Sequence, residues 1–589
     1  MNMPEGFRCK ASDMKGLDYT GLRRLIFIFC LFTLAGCFST SSGQSKVLSD
    51  IRYAIVIKQS TYNIARWKQV CDTLSSYYKG HLFIWNTSLS EVKEPVISYS
   101  PTHICFVCDI STASPSFIIN SLYPFTRTLD DDPYTDAIWG VLTGYAEDAY
   151  RIAADTVTHY TKTLLSGTVS SDLSYFTQGL STHEATSGLF YVKQPDSSLI
   201  RSYTTGPVDR TSWLVSMING GIDSLDHAPV DIFITSGHGN YNLWQLHYPT
   251  QSPEGLFRSG TGVLTGVSAS GEFYPISSSN PNIYFGLGNC NIGQITNDGC
   301  MAPNWINKGG AFAYTGYLVE EESNSFQHGG TRAYYYRMSR ENTWSESWFL
   351  ANQAMQFDLI NQTPDVSPSD LNGSAFYGDP GKIFRMSHEG KYQQPLITNE
   401  LIIRHGPSKD TVTYRVTMNY DGEPGTNGKW GNRHPAVILP FTASDISILS
   451  TDAITALVRE NFALLYIWHA GLDALKKGDT REVVFTCNRL VTGIDCPDDA
   501  DEEARLIEEI YPNPASSGVT FSYRISGNTR VTIRLYDING TQVDMIDNVS
   551  RTPGLYSVDL NVTDLANGVY HYLIETSESH ESGKFVVAK

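Results

Sequence analysis

Cysteine is scarce in this chain, with 10 in 589 residues, too few for a scaffold held together by disulfides at this size. Cys9 and Cys30 lie in an N-terminal export-type segment and Cys37 at its end, which leaves Cys71, Cys105, Cys108, Cys290, Cys300, Cys487 and Cys496. That remainder is odd, so at least one thiol stays unpaired within the chain. No Cys-x-x-Cys pair recurs at zinc-ribbon spacing, and Cys105-Phe-Val-Cys108 reads as a buried strand. Positive charge is also short: 43 Lys and Arg stand against 61 Asp and Glu, a formal net charge of -18. A basic stripe is what phosphate binding needs, so the balance argues against nucleic acid or an anionic membrane surface as partner. No apolar run reaches the roughly 20 residues of a permanent membrane helix. There is no long repeat and no low-complexity tract. What is there, 41% apolar and 18% charged residues, fits a globular chain, and the length points to two to four domains.

Leu25 to Gly36 form a short apolar block behind Arg23 and Arg24, the layout of a secretory signal over residues 1–36. Leu34-Ala-Gly-Cys37 resembles a bacterial lipobox, which makes Cys37 the expected lipidation site and a lipid anchor the one expected membrane attachment. Ordinary cleavage in the Ser/Gly-rich stretch 39–44 is the alternative. Either way the protein is expected to leave the cytoplasm, for the outer membrane, the cell surface or the extracellular space.

From residue 51 apolar runs alternate with helical spacing. Ile51–Ile57, His103–Cys108, Ala137–Leu142, Asp231–Thr235, Asn282–Leu287 and Gly310–Thr315 read as buried strands. Trp67, Val70, Leu74 and Tyr78 mark one helix, and a second is expected from about Glu147 to Leu165. Such alternation predicts an α/β domain over 50–380 with a parallel sheet covered on both faces. After Pro380 the strands alternate polar and apolar, as in Thr411–Thr417 and Arg481–Cys487, which predicts a β-sandwich over 381–494. A dense acidic run makes 495–509 the expected linker, and a second β-sandwich is expected over 510–589.

Two strand ends carry reactive residue types: Asp231-Ile-Phe-Ile-Thr-Ser-Gly-His238-Gly239-Asn240, and Ile283-Tyr-Phe-Gly-Leu-Gly-Asn-Cys290-Asn-Ile-Gly293. In parallel sheets functional groups gather past the carboxyl ends of the strands. A thiolate nucleophile requires a base or cation beside it, and an imidazole supplies one. Glycine after His238 lets backbone N–H groups approach a developing oxyanion. Against this stand plainer readings, in which Cys290 is a half-cystine with Cys300 or an inert thiol and His238 a turn residue.

The His-Gly and Asn-Cys blocks resemble the gingipain-type cysteine peptidases of the caspase-like clan. So do, more loosely, Arg127-Thr-Leu-Asp-Asp-Asp-Pro-Tyr-Thr-Asp136 and Tyr377-Gly-Asp-Pro380. The resemblance runs over about residues 50 to 490 and implies a caspase-like sheet followed by an immunoglobulin-like module. It implies Cys290 as nucleophile, His238 as proton acceptor, and backbone N–H groups of Gly239 and Cys290 as oxyanion donors, with protein or peptide substrates. Asn289 departs from the pattern, standing where many members carry Ala or Ser. Glu320, Glu321 and Glu322 follow the next strand, where this clan often lines its specificity pocket; a solvated acidic loop is the plainer reading. Asp130, Asp132 and Asp136 offer hard oxygen ligands for calcium, although no cofactor is required for this chemistry. A non-catalytic surface binding or adhesion protein that keeps a peptidase-like fold is the alternative function.

At the end of the chain, Ile510-Tyr-Pro-Asn-Pro514, Val531–Gly540, Asp564-Leu-Ala-Asn-Gly-Val-Tyr570 and Gly583–Lys589 occur in order. Together they resemble the type A C-terminal sorting domain of the type IX secretion system. That resemblance implies the secretion machinery as a partner.

Overall fold

The computed structural model describes residues 51–167, 172–320, 330–361, 368–404, 406, 409–425, 433–489, 506–511, 515–525, 527–537, 541–576 and 580–589. The signal segment with Cys37, the acidic run 495–505, Glu321, Glu322 and Cys496 lie outside them. The chain divides into two compact units between Arg489 and Leu490.

Twelve strands of the first unit make one sheet. They are β1 (Tyr53–Lys58), β2 (His81–Trp85), β3 (His103–Val107), β4 (Ile138–Leu142), β5 (Thr163–Ser166), β6 (Gln178–Thr182), β7 (Phe190–Lys193), β8 (Ile200–Tyr203), β9 (Ile232–Thr235), β10 (Asn282–Gly286), β11 (Ala311–Tyr317) and β12 (Ser374–Gly378). Their spatial order is β2-β1-β3-β4-β12-β11-β10-β9-β5-β6-β7-β8. Every residue of β3, β4, β9, β10, β11 and β12 is buried, which is why these strands read as near-continuous apolar runs.

The sheet is mostly parallel, not wholly so as expected. β12 runs antiparallel to β11, and β7 runs antiparallel to both β6 and β8. A parallel return needs a crossover of a dozen or more residues, and the short connections between β6, β7 and β8 permit only hairpins. A second correction concerns the helix expected to reach Leu165. It spans Ala146–Ala154 and stops, because Thr156, Val157, Thr158, Thr161 and Thr163 are β-branched and favour extended backbone. Residues 163–166 instead become β5, which pairs with β9. The helix at Ala65–Tyr78 buries Trp67, Val70, Cys71, Leu74 and Tyr78, the stripe its spacing predicts.

The later part of this unit consists of two antiparallel sheets. Ile397–Arg404, Asp410–Met418, Thr480–Arg489 and Ala443–Thr451 form one, and Ala436–Ile438, Phe462–Tyr466 and Thr455–Val458 the other. They share a core of Val412, Tyr414, Val416 and Phe485 with Ala463 and Leu465. The helix Trp344–Ile360 joins the two parts. It starts on a Thr343/Glu346 capping box and is buried around most of its circumference. Trp348 stacks edge-on to Trp139 of β4 at 4.9 Å, while Phe349 meets Phe462 at 6.3 Å. Its buried residues include Ser345, Glu346, Ser347, Asn352, Gln353 and Asp358, so polar side chains are enclosed together with the apolar ones, and Gln353 meets the Thr135 backbone in both directions.

The second unit is again a pair of antiparallel sheets. Ile507–Tyr511, Gly518–Ile525 and Gly554–Asn561 form the first, and Gln542–Arg551, Thr529–Tyr536, Gly568–Glu575 and His580–Val587 the second. Phe521, Val531, Ile533, Leu535, Tyr572, Ile574 and Phe585 fill the space between them. The first strand begins at Ile507, inside the segment read as linker. No helix among the described residues is long and apolar enough to cross a membrane.

Candidate active site

β9 and β10 lie side by side and parallel, with Ile232 opposite Ile283 and Thr235 opposite Gly286, as the sequence reading requires. Leu287 N–H carries the pairing one step further by donating to Thr235 O at 2.7 Å. Both chains therefore leave the sheet at the same edge, one into Ser236-Gly-His238 and the other into Gly288-Asn-Cys290.

Beyond β9 the backbone turns at Gly237, whose φ of 96° is the left-handed region that glycine tolerates. His238 is exposed, and its carbonyl accepts from Gln245 N–H at 2.9 Å. Trp244, fully buried, donates its indole N–H to Ser236 O at 2.7 Å and anchors the hairpin from below. That hairpin opens a five-stranded antiparallel sheet running from Gly239 to Pro275, which fills most of the interval between His238 and Cys290.

Asn289 binds the two strand ends together. It is fully buried, accepts from Thr235 Oγ1 at 2.7 Å and donates Nδ2–H to Gly237 O at 3.1 Å. A methyl group added at Gly239 would stand 3.1 Å from Asn289 Cβ, and one at Gly288 would stand 3.3 Å from Ser236 Oγ. Gly237 thus bonds the residue immediately before Cys290, and Gly239 lies so near it that an added methyl would crowd it. Cys290 is half-buried and reduced, and so is the buried Cys300, so the half-cystine reading is set aside. Cys300 Sγ instead accepts from Thr296 N–H at 3.3 Å. After Cys290, Asn291 N–H donates to Val319 O at 3.0 Å, which brings the exposed Glu320 to the same edge of the sheet.

Three further side chains belong to this edge. Glu184, half-buried in the turn after β6, accepts from Ser236 Oγ at 3.3 Å. Burial pushes its carboxyl above the usual range, with Ser236 and Arg210 acting against the rise. Tyr248 presents its ring 5.1 Å from the His238 ring at an angle of 42°. Arg210 is buried and paired with Glu254. None of the three stood out in the sequence: Glu184 and Arg210 act through partners tens of residues away, and Tyr248 reaches His238 only through the fold of its loop.

The aspartate loop lies elsewhere, against the antiparallel part of the same unit. Asp130, Asp132 and Glu460 bring carboxylate oxygens within 4.8 Å of one another. Asp136 lies beside them and accepts from Leu129 N–H at 3.0 Å. Asp136 Oδ1 and Glu460 Oε1 are buried without a hydrogen-bond partner among the described residues. Burial, then the neighbouring carboxylates, pushes Asp136 up to about 9 and Glu460 up to about 8. Arg459, 2.6 Å from Asp132 Oδ2, is the cation at hand. Glu460 was not anticipated, since it comes from the other end of the unit. The donors are hard oxygens of the type calcium takes, so the residues fit that ion in kind.

No curated protein matches this sequence. Among solved structures, a polysaccharide lyase aligns with 34% of this chain and 35% of its own, at 10% identity and a TM-score of 0.13. The chain thus spans about a third of that structure's length, and a likeness of this degree carries no argument. Residues 509–588, the strands of the second unit, match the family of secretion system C-terminal sorting domains. The end of this chain is therefore a type IX secretion sorting domain, which indicates export to the cell surface or extracellular space of a bacterium.

Proposed function

We propose that the protein is an exported cysteine endopeptidase of the gingipain type, with a caspase-like sheet, an immunoglobulin-like module and a Cys290–His238 dyad. The observation that carries this reading is the parallel pairing of β9 and β10 with Asn289 linking the two segments that hold the dyad. In the proposed mechanism His238 accepts the proton of Cys290, and the thiolate attacks a substrate carbonyl. Backbone N–H groups of Gly239 and Cys290 hold the oxyanion, a contribution worth about 2.7–4 kcal/mol per good donor. The tetrahedral adduct collapses to a thioester as His238 returns the proton to the leaving amine. Water then hydrolyses the thioester and regenerates the thiol.

Glu184 joins this reading as a carboxylate on the site's edge that the sequence did not disclose. Glu320 is read as substrate-facing; Glu321 and Glu322, which follow it in sequence, lie outside the described residues. A calcium ion is proposed at Asp130, Asp132 and Glu460 with Asp136 adjoining, where it would neutralise carboxylates that burial and mutual repulsion now hold up. Lipidation of Cys37 after removal of residues 1–36 completes the reading. Mass spectrometry of the native N-terminus tests it, and an unmodified N-terminus beyond Cys37 refutes the lipid anchor alone.

The test of the site is covalent labelling with a thiol-directed electrophile. Labelling concentrated on Cys290 and lost in His238→Ala supports the dyad. An inert Cys290 in the native protein favours a binding protein that retains the fold.

A further inference from the structure

Arg210 precedes the helix Thr211–Gly220 and is 3% exposed. Its guanidinium is saturated by a group of acceptors drawn from three places. Nε and Nη2 donate to Glu254 Oε2 at 2.9 and 2.8 Å, and Nη2 also donates to Leu246 O at 2.9 Å. Nη1 donates to Gly167 O at 2.7 Å and to Thr182 Oγ1. Gly167 follows the last residue of β5, and Thr182 is the last residue of β6. Leu246 and Glu254 bracket the loop that leaves the small antiparallel sheet. One buried cation therefore ties two strand ends of the main sheet to one loop.

That loop carries Tyr248. Its backbone N–H donates to Glu184 O at 3.2 Å, the residue is 41% exposed, and its ring meets His238. Glu254 is 1% exposed, and its Oε1 has no hydrogen-bond partner among the described residues. A buried charge pair of this kind contributes little net stability compared with an apolar pair of the same volume. Its distinctive property is geometric, because a planar guanidinium that donates from all three of its nitrogens fixes direction as well as distance.

We infer that Arg210 and Glu254 are positioning residues that hold Tyr248 against His238 and so restrict the imidazole. The functional part of this inference rests on the peptidase reading; the contact itself does not. In the full-length protein labelled at the histidine Cε1 positions, Tyr248→Ala removes an aromatic ring from beside His238 and shifts its NMR signal. Glu254→Gln shifts that signal in the same direction, Tyr248→Phe keeps it in place, and the double variant adds little to Tyr248→Ala. In hydrolysis kcat falls about tenfold in Tyr248→Ala and Glu254→Gln with KM little changed, since small misplacements of a reacting group cost rate. Tyr248→Phe retains kcat. A His238 signal unmoved in Glu254→Gln, or effects on kcat that multiply independently, overturns the inference. Should Glu254→Gln fail to fold, an unmoved His238 signal in Tyr248→Ala overturns it alone. Absence of any Cys290-dependent hydrolysis would sink the peptidase reading instead, and the NMR arm would still decide the contact.

Discussion

Replacing Asn289 by alanine gives the site a residue common in the resembling family and removes its link between strands. Two hydrogen bonds disappear, from Thr235 Oγ1 and to Gly237 O. Thr235 keeps a partner, since its hydroxyl also lies 2.7 Å from Tyr284 OH, so that loss is about 1 kcal/mol. The Gly237 carbonyl is left without its donor. Gly237 is half-buried and water can reach it in part, which sets its cost at the low end, about 1–2 kcal/mol. The sum is about 2–3 kcal/mol. Unfolding entropy is about 2.1 cal/mol/K per residue, so a unit ending at Arg489 unfolds with about 0.9 kcal/mol/K. Asn289→Ala should therefore lower the first unit's Tm by about 2–3 °C in scanning calorimetry. Peptide hydrolysis should fall at least about tenfold, because the His238 and Cys290 segments lose their common support. A Tm within 1 °C of the unsubstituted protein, together with unchanged hydrolysis, would refute the assignment of Asn289 as the link.

The carboxylate cluster makes a signed prediction about pH. Asp136 and Glu460 are raised in the folded state, so the unfolded chain releases their protons first and calcium-free stability declines between about pH 4 and about pH 9. Calcium at pH 8 should raise Tm, EDTA should reverse the gain, and Asp136→Asn should raise the EDTA value while shrinking the calcium response; a Tm indifferent to all three refutes the cation site. Deleting residues 509–588 should leave the rest of the protein folded but held short of the cell surface, read by fractionation, and normal surface delivery of the truncated chain contradicts the sorting role.

Much of the frame could be read from the chain because buried parallel strands advertise themselves. β9 carries Ile232-Phe-Ile before Thr235 and β10 carries Ile283-Tyr-Phe before Gly286, and their adjacency followed from the placement of reactive residues at strand ends. The helix at Ala65–Tyr78 showed its buried stripe in the spacing of four residues. By contrast, β6, β7 and β8 are short and mixed in polarity, and no periodicity separates them from loops. β5 begins inside the segment from about Glu147 to Leu165 whose spacing predicts helix, although the helix ends at Ala154.

Within the site, residue types were legible and their supports were not. Cysteine and histidine announce chemistry by identity alone. Asn289 looked like a departure from a pattern until its amide was seen spanning Thr235 and Gly237. Glu184 and Tyr248 gain meaning only from contacts across the sheet edge, and Glu460 only from the packing of the antiparallel part on the aspartate loop. Such pairings depend on tertiary structure, which local sequence does not encode.

The central claim is tested most directly by hydrolysis of a mixed peptide library by full-length protein, Cys290→Ala and His238→Ala, each shown to be folded by its Tm. The account predicts cleavage by the unsubstituted protein, loss in either variant, and little further effect in the double variant, since members of one catalytic unit are not additive. Undiminished cleavage in both single variants would contradict it.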